Sequence, residues 1–112
     1  MSVVSLDQLS FEAFAEMVKT KWRVLAGTGD GFELELVAVT PRRLTPAGSA
    51  GGWANEQFTL VLQGPAEPLL TQRTYSFEAG SVGRFDLFIV PTGRDAAGIQ
   101  YEATFNRTVA GR

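Results

Sequence analysis

Residues 83–106 constrain the fold more than any other stretch of the chain. Phe85, Leu87 and Ile89 alternate along GRFDLFIVP, and Tyr101, Ala103 and Phe105 alternate along GIQYEATFN, with the polar run TGRDAA between them. A period of two puts each series on one face of a strand, so the stretch reads as a β-hairpin whose arms share a core. Phe88 and Val90 make the opposite face of the first arm apolar as well. That arm is predicted to be central in its sheet or covered on its second side, and the second face is the main functional clue in the sequence.

The remaining elements are read around this hairpin. Ser10 is placed to cap a short helix over residues 10–20, with Glu12 near its positive end and Leu9 stapled onto Phe14. Phe11, Phe14, Ala15 and Val18 form the stripe that would lie on the sheet. Strands are predicted at residues 21–26, 32–40, 57–63, 72–78, 84–91 and 98–106, each with alternating apolar positions. The glycine cluster at residues 27–31 is a turn. Residues 41–55, rich in proline, glycine and small side chains, read as a long loop carrying Trp53, a ring that either tucks onto the body or anchors a partner. Residues 64–68 form a stiff proline-bearing connection, and residues 107–112 a polar, frayed or surface tail. One helix followed by six strands joined mainly by short turns predicts a single mainly β (α+β) domain over residues 1–112. Its architecture is a small antiparallel six-stranded barrel, or else a sandwich, with the N-terminal helix plugging an end or covering a face.

Composition narrows the chemistry. The 112 residues contain no cysteine and no histidine. This removes thiolate nucleophiles, the commonest general base and the commonest transition-metal ligands, so any enzymatic reading must rest on carboxylates, lysine or tyrosine. With 12 acidic and 10 basic residues, the latter dispersed, there is no footprint for nucleic acid or an anionic membrane. The N-terminus has no signal-peptide pattern and no stretch is long and apolar enough to span a bilayer, so synthesis in the cytoplasm is expected.

Candidate sites are few. Glu33 and Glu35 lie two apart on one strand face, but alternating polar residues on a solvated strand account for the same pattern. The Arg94-Asp95-Ala96-Ala97-Gly98 run lacks a calcium-loop ligand series and reads as a turn in which Asp95 bonds the backbone and Gly98 takes positive φ. Gly27-x-Gly29-x-Gly31 has no Lys-Ser/Thr after it and precedes a strand, so a phosphate loop is discarded. Arg42 and Arg43 are a basic pair entering the long loop, usually a solvated arrangement. Tyr75 and Tyr101 face the core, with hydroxyls at its rim. The outward apolar positions Val37, Val39, Val61, Phe88 and Val90, together with Trp53, remain as a candidate interface; some would be covered by the helix stripe and the rest by another molecule. No catalytic, cofactor-binding or metal-ligating residue is assigned, and no cofactor is expected.

The series Leu9-Ser10-x-x-x-Phe14, Phe58-x-Leu60, Gly64-Pro65, Leu70-x-Gln72, Tyr75-x-Phe77-Glu78, Gly83-x-Phe85-x-Leu87-Phe88, Val90-Pro91, Asp95, Gly98 and Tyr101-Glu102-Ala103-x-Phe105-Asn106 resembles an uncharacterised bacterial domain-of-unknown-function family of small β-rich proteins. The resemblance covers most of the chain and brings no catalytic residues with it. It implies an association with phage-tail-collar-like fibre proteins, hence a small accessory or structural subunit of an assembled, tail-like particle.

The expectation carried forward is a non-enzymatic structural or protein-binding module, with a protein partner or self-association and neither nucleic acid nor membrane as partner. The alternative is a small-ligand or carbohydrate-binding barrel using the Trp53 loop, or a hydrolase built on Glu33 and Glu35.

Overall fold

The computed structural model describes residues 9–25, 33–46, 53–67, 69–80 and 82–110. It contains one short helix, α1 (Phe11–Glu16), and seven strands: β1 (Lys21–Val24), β2 (Glu33–Val39), β3 (Arg43–Pro46), β4 (Trp53–Gly64), β5 (Arg73–Ala79), β6 (Gly83–Asp95) and β7 (Gly98–Ala110). All pairings are antiparallel, in the order β2-β1-β5-β6-β7-β4-β3, and β4 also pairs with β2. That last pairing closes the sheet into a ring of six strands, a barrel, and leaves β3 attached to β4 alone.

Closure depends on strands that change neighbours along their length. β4 pairs with β7 from Trp53 to Gly64, while its other side meets β3 with residues 54–57 and β2 with residues 60–63. β6 pairs with β5 over residues 83–89 and with β7 over residues 90–95. A strand that serves two neighbours in succession turns a corner, which lets so few strands enclose a core.

The interior is filled by side chains. Trp22, Phe77 and Phe85 meet edge to face or stacked, with Trp22 and Phe85 centroids 5.1 Å apart. Phe14 reaches Trp22, Phe58 and Phe105, joining the helix to this cluster. Leu34, Leu36, Leu60, Leu62, Ile89 and Tyr101 complete it, none more than 1% exposed. Aromatic rings at such offsets add about 0.5–1.5 kcal/mol per pair beyond the area they bury.

The helix is shorter than residues 10–20. Ser10 caps it as expected, its Oγ accepting from the Ala13 amide at 3.0 Å. It stops at Glu16 because Lys19 takes a left-handed φ of 77°, after which the Lys19 amide donates to the Leu36 carbonyl and Thr20 accepts from the Leu36 amide. Chain-to-sheet hydrogen bonds replace the last helical turn. Phe14 and Met17 are buried and Ala15 is exposed, so the buried stripe differs from the expected one by one position.

Three further expectations are corrected. Residues 41–55 are not one loop: β3 and the start of β4 lie within them, paired through Arg43↔Gln57, Leu44↔Glu56, Thr45↔Asn55 and Pro46↔Ala54. Local composition argued for a loop, but a long-range partner, β7, supports the β4 segment, and an edge strand tolerates proline. The strand count is therefore seven, not six. The tail is not frayed through residues 107–110, since β7 runs to Ala110. Predicted ends at residues 26 and 32 and the glycine turn at residues 27–31 lie outside the described residues.

Candidate functional site

The outer surface of the barrel follows from parity. Ile89 and Leu87 are buried, so Phe88 and Val90 on β6 point outward; Leu60 and Leu62 are buried, so Val61 on β4 points outward; Tyr101 and Ala103 are buried, so Glu102 on β7 does the same. Register then aligns them. Val90 stands opposite Glu102, Glu102 opposite Val61, and Val61 opposite Ala38 on β2, a single row crossing four strands. At about 4.8 Å between neighbouring strands, Val90 and Val61 lie roughly 10 Å apart with Glu102 between them.

Phe88 lies next along β6, opposite Thr74 of β5, and is 49% exposed. The helix does not cover it, because Phe14 packs on the inward residues Trp22, Phe58 and Phe105. Phe88, Val90 and Val61 thus all point outward from the barrel.

Val37 and Val39 do not join that face together. A β-bulge between Leu36 and Ala38 changes the register, so Ala38 pairs with Val61 and Val39 with the buried Leu60. Val39 consequently packs against the core, and Val37 is half-buried at the bulge. One inserted residue exchanges the two faces of a strand, a shift that alternation alone does not reveal. Trp53 belongs to a strand, opposite Ala110, and its side chain lies outside the described residues.

Glu33 and Glu35 stand opposite Arg23 and Lys21 on β1. Lys21, Glu33, Glu35, Gln63, Gly64, Pro65 and Ala97 line an open groove of about 430 Å³. Gln63 is ten positions from Trp53 on the same strand, about 33 Å at the rise of a strand, so the groove and the Trp53 backbone occupy opposite ends of β4. Among the described residues no group of acidic side chains is arranged to hold a metal ion. The loop at Asp95 is a turn, with Asp95 Oδ1 accepting from the Ala97 amide at 2.8 Å and Gly98 at φ 135°.

The sequence reading missed one cluster. Glu56, 2% exposed, accepts from Arg42 Nε at 2.6 Å and from Arg107 Nε at 2.7 Å. Arg107 also donates from Nη2 to the Leu9 carbonyl at 2.8 Å and lies over the Phe58 and Phe105 rings, which stack 4.8 Å apart. Arg42 reaches Glu12 as well, at 3.3 Å. The cluster ties the helix entry, the β2–β3 connection, β4 and β7 together. Its readable signal was parity: extending Phe58, Leu60 and Leu62 backwards places Glu56 on the inward face.

The two tyrosines act on the connection between β4 and β5. Tyr101 Oη accepts from the Leu70 amide at 3.0 Å, and Tyr75 Oη donates to the Thr71 carbonyl at 2.9 Å. Burial pushes the Tyr101 phenol above its ordinary value of 10.0, the Leu70 amide and Arg94 opposing this and Tyr75 adding to it. Both hydroxyls thus hold the backbone of this connection.

No solved structure and no curated protein matches the chain. A family model described as a domain of unknown function, DUF6916, matches residues 9–105, from the residue that receives Arg107 to the ring on which Arg107 lies. The chain therefore belongs to the DUF6916 family.

Proposed function

We propose that the protein is a non-enzymatic structural or protein-binding module, an accessory subunit of a larger assembly of the phage-tail-like kind, bacterial in origin, that the family resemblance implies. The observation that carries this reading is Phe88, a half-exposed aromatic beside Val90 and near Val61, on a face the chain's own helix leaves open. Exposed aromatics bordered by apolar residues are the usual anchors of protein interfaces. The filled barrel interior lends support, since a small-ligand barrel keeps a cavity where this one holds Trp22, Phe14, Phe77 and Phe85.

The test is the native mass of the assembly by light scattering, with its co-purifying partners, for the wild type and Phe88→Asp. The expected result is a smaller assembly with an unchanged circular dichroism spectrum and melting curve. An unchanged assembly would remove Phe88 as an anchor. The ligand-binding reading would take the groove beside Glu33, Glu35 and Lys21 as its site, without the Trp53 backbone nearby. Perturbation of amide resonances around that groove by neutral or amino sugars would favour it.

A further inference from the structure

Glu102 occupies an unusual place on the outer face. Its neighbours across the strands are Val90 and Val61, its side chain is half-buried, and among the described residues it makes no hydrogen bond or ion pair. Five basic groups are engaged elsewhere, Arg23 with Glu78, Arg42 and Arg107 with Glu56, Arg94 with the Ala66 carbonyl and Arg73 over the Tyr75 ring, while Lys21, Arg43 and Arg84 stand opposite Glu35, Gln57 and Glu78 and not beside Glu102. A carboxylate set between two valines, with Phe88 beside them, loses much hydration when the face is covered and needs a compensating cation.

We propose that Glu102, Val61, Val90 and Phe88 form a docking surface for a separate protein chain that presents a lysine or arginine flanked by apolar side chains. This rests on the reading of the protein as a binding module and adds the chemistry of the partner. The stem of the basic side chain lies along Val61 and Val90 while its head reaches the Glu102 carboxylate, the usual way such residues cover apolar surface. A flanking apolar group covers Phe88. A second copy of this chain is the poorer occupant, because a two-fold contact centred on the row brings one Glu102 towards the other with no cation supplied.

The test is selection of a random twelve-residue peptide library on the immobilised wild-type protein, with affinities of the recovered peptides measured against wild type, Glu102→Gln, Glu102→Lys and Phe88→Ser. Circular dichroism and denaturant unfolding of each variant provide the folding control. Expected are peptides carrying a lysine or arginine beside apolar residues, bound about tenfold or more weakly by Glu102→Gln. Phe88→Ser should also weaken them, and Glu102→Lys should select acidic residues at the same position. Peptides that depend on Phe88 but carry no cation, or are indifferent to Glu102→Gln, overturn the inference and leave the binding-module reading standing. Peptides indifferent to both positions, or no enrichment over an unrelated barrel protein, overturn the use of this face altogether. Self-association of the wild type that either substitution abolishes makes a second copy the occupant and overturns the separate partner.

Discussion

Glu56 and Arg107 face each other across β4 and β7, fifty-one residues apart in sequence, with the Glu56 side chain 3% exposed and its Oε1 2.7 Å from Arg107 Nε. Arg42 takes the other carboxylate oxygen. A buried carboxylate is tolerated when both oxygens are satisfied, and here the two cations arrive from different parts of the chain. The pair joins β7 to β4 three residues before the end of β7, and Arg107 holds the Leu9 carbonyl at the helix entry.

Removing one partner should therefore cost more than a surface ion pair is worth. Arg107→Ala is expected to destabilise the fold by about 3 kcal/mol, the range found when a buried pair is broken. Arg42→Ala should cost less, about 1 kcal/mol, because its side chain is 31% exposed and Arg107 still answers the carboxylate. Urea unfolding of both variants measures the difference; equal losses would show that the cluster depends no more on Arg107 than on Arg42.

The Tyr101 phenol predicts an alkaline limb in stability. Its folded pKa is raised, chiefly by burial, above the ordinary 10.0. Below pH 10 both folded and unfolded chains keep the proton and the full contribution is present. Above that the unfolded chain releases its proton first, so stability falls as pH rises through the folded value. Tyr101→Phe should reduce that fall and, by leaving the Leu70 amide without its acceptor, cost about 1–3 kcal/mol at neutral pH. Denaturant midpoints between about pH 7 and pH 11 test both effects.

Gly98 and Gly80 should respond oppositely to a methyl group. At Gly98 the backbone has φ 135° and an added Cβ would fall 2.0 Å from the Gly64 carbonyl oxygen. At Gly80 nothing lies within 4 Å. Gly98→Ala is expected to lose about 2–4 kcal/mol through strain and forced separation of β7 from the end of β4, whereas Gly80→Ala stays within about 0.5 kcal/mol. Thermal melts of the two variants decide this, and a Gly98→Ala melt matching wild type would refute the close approach.

Phe14 and Phe88 separate core from surface in the same manner. Phe14 is fully buried among Trp22, Phe58 and Phe105, so Phe14→Ala should cost about 3–5 kcal/mol. Phe88→Ala, at a half-exposed position, should change stability by about 0.5 kcal/mol or less. Equilibrium unfolding in guanidinium measures the pair; a large loss at Phe88 would make it core.

Much of the barrel was legible because a strand with one face buried writes its period directly into the chain. Phe85, Leu87 and Ile89, then Phe58, Leu60 and Leu62, then Tyr101, Ala103 and Phe105 are all inward in the fold, as alternation predicted. The outward direction of Phe88, Val90 and Val61 follows from the same parity. Val39 was misread because parity holds only while pairing stays in register, and the bulge at Leu36 and Ala38 breaks it. β3 was missed because Arg43–Pro46 has little apolar content of its own and exists as a strand through β4.

What the sequence determined by itself is the local alphabet: the Ser10 cap, the Asp95 to Gly98 turn, the inward and outward faces of β4, β6 and β7, and the lack of histidine and cysteine chemistry. These depend on neighbours within a few residues, where backbone geometry and side-chain period act directly. Only the tertiary structure decided that β4 returns to β2 and closes the ring, that Glu56 meets Arg42 and Arg107, and that Glu102 stands between Val61 and Val90. Those relationships join residues far apart in the chain. They are set by strand register and barrel closure, which many distant contacts determine together.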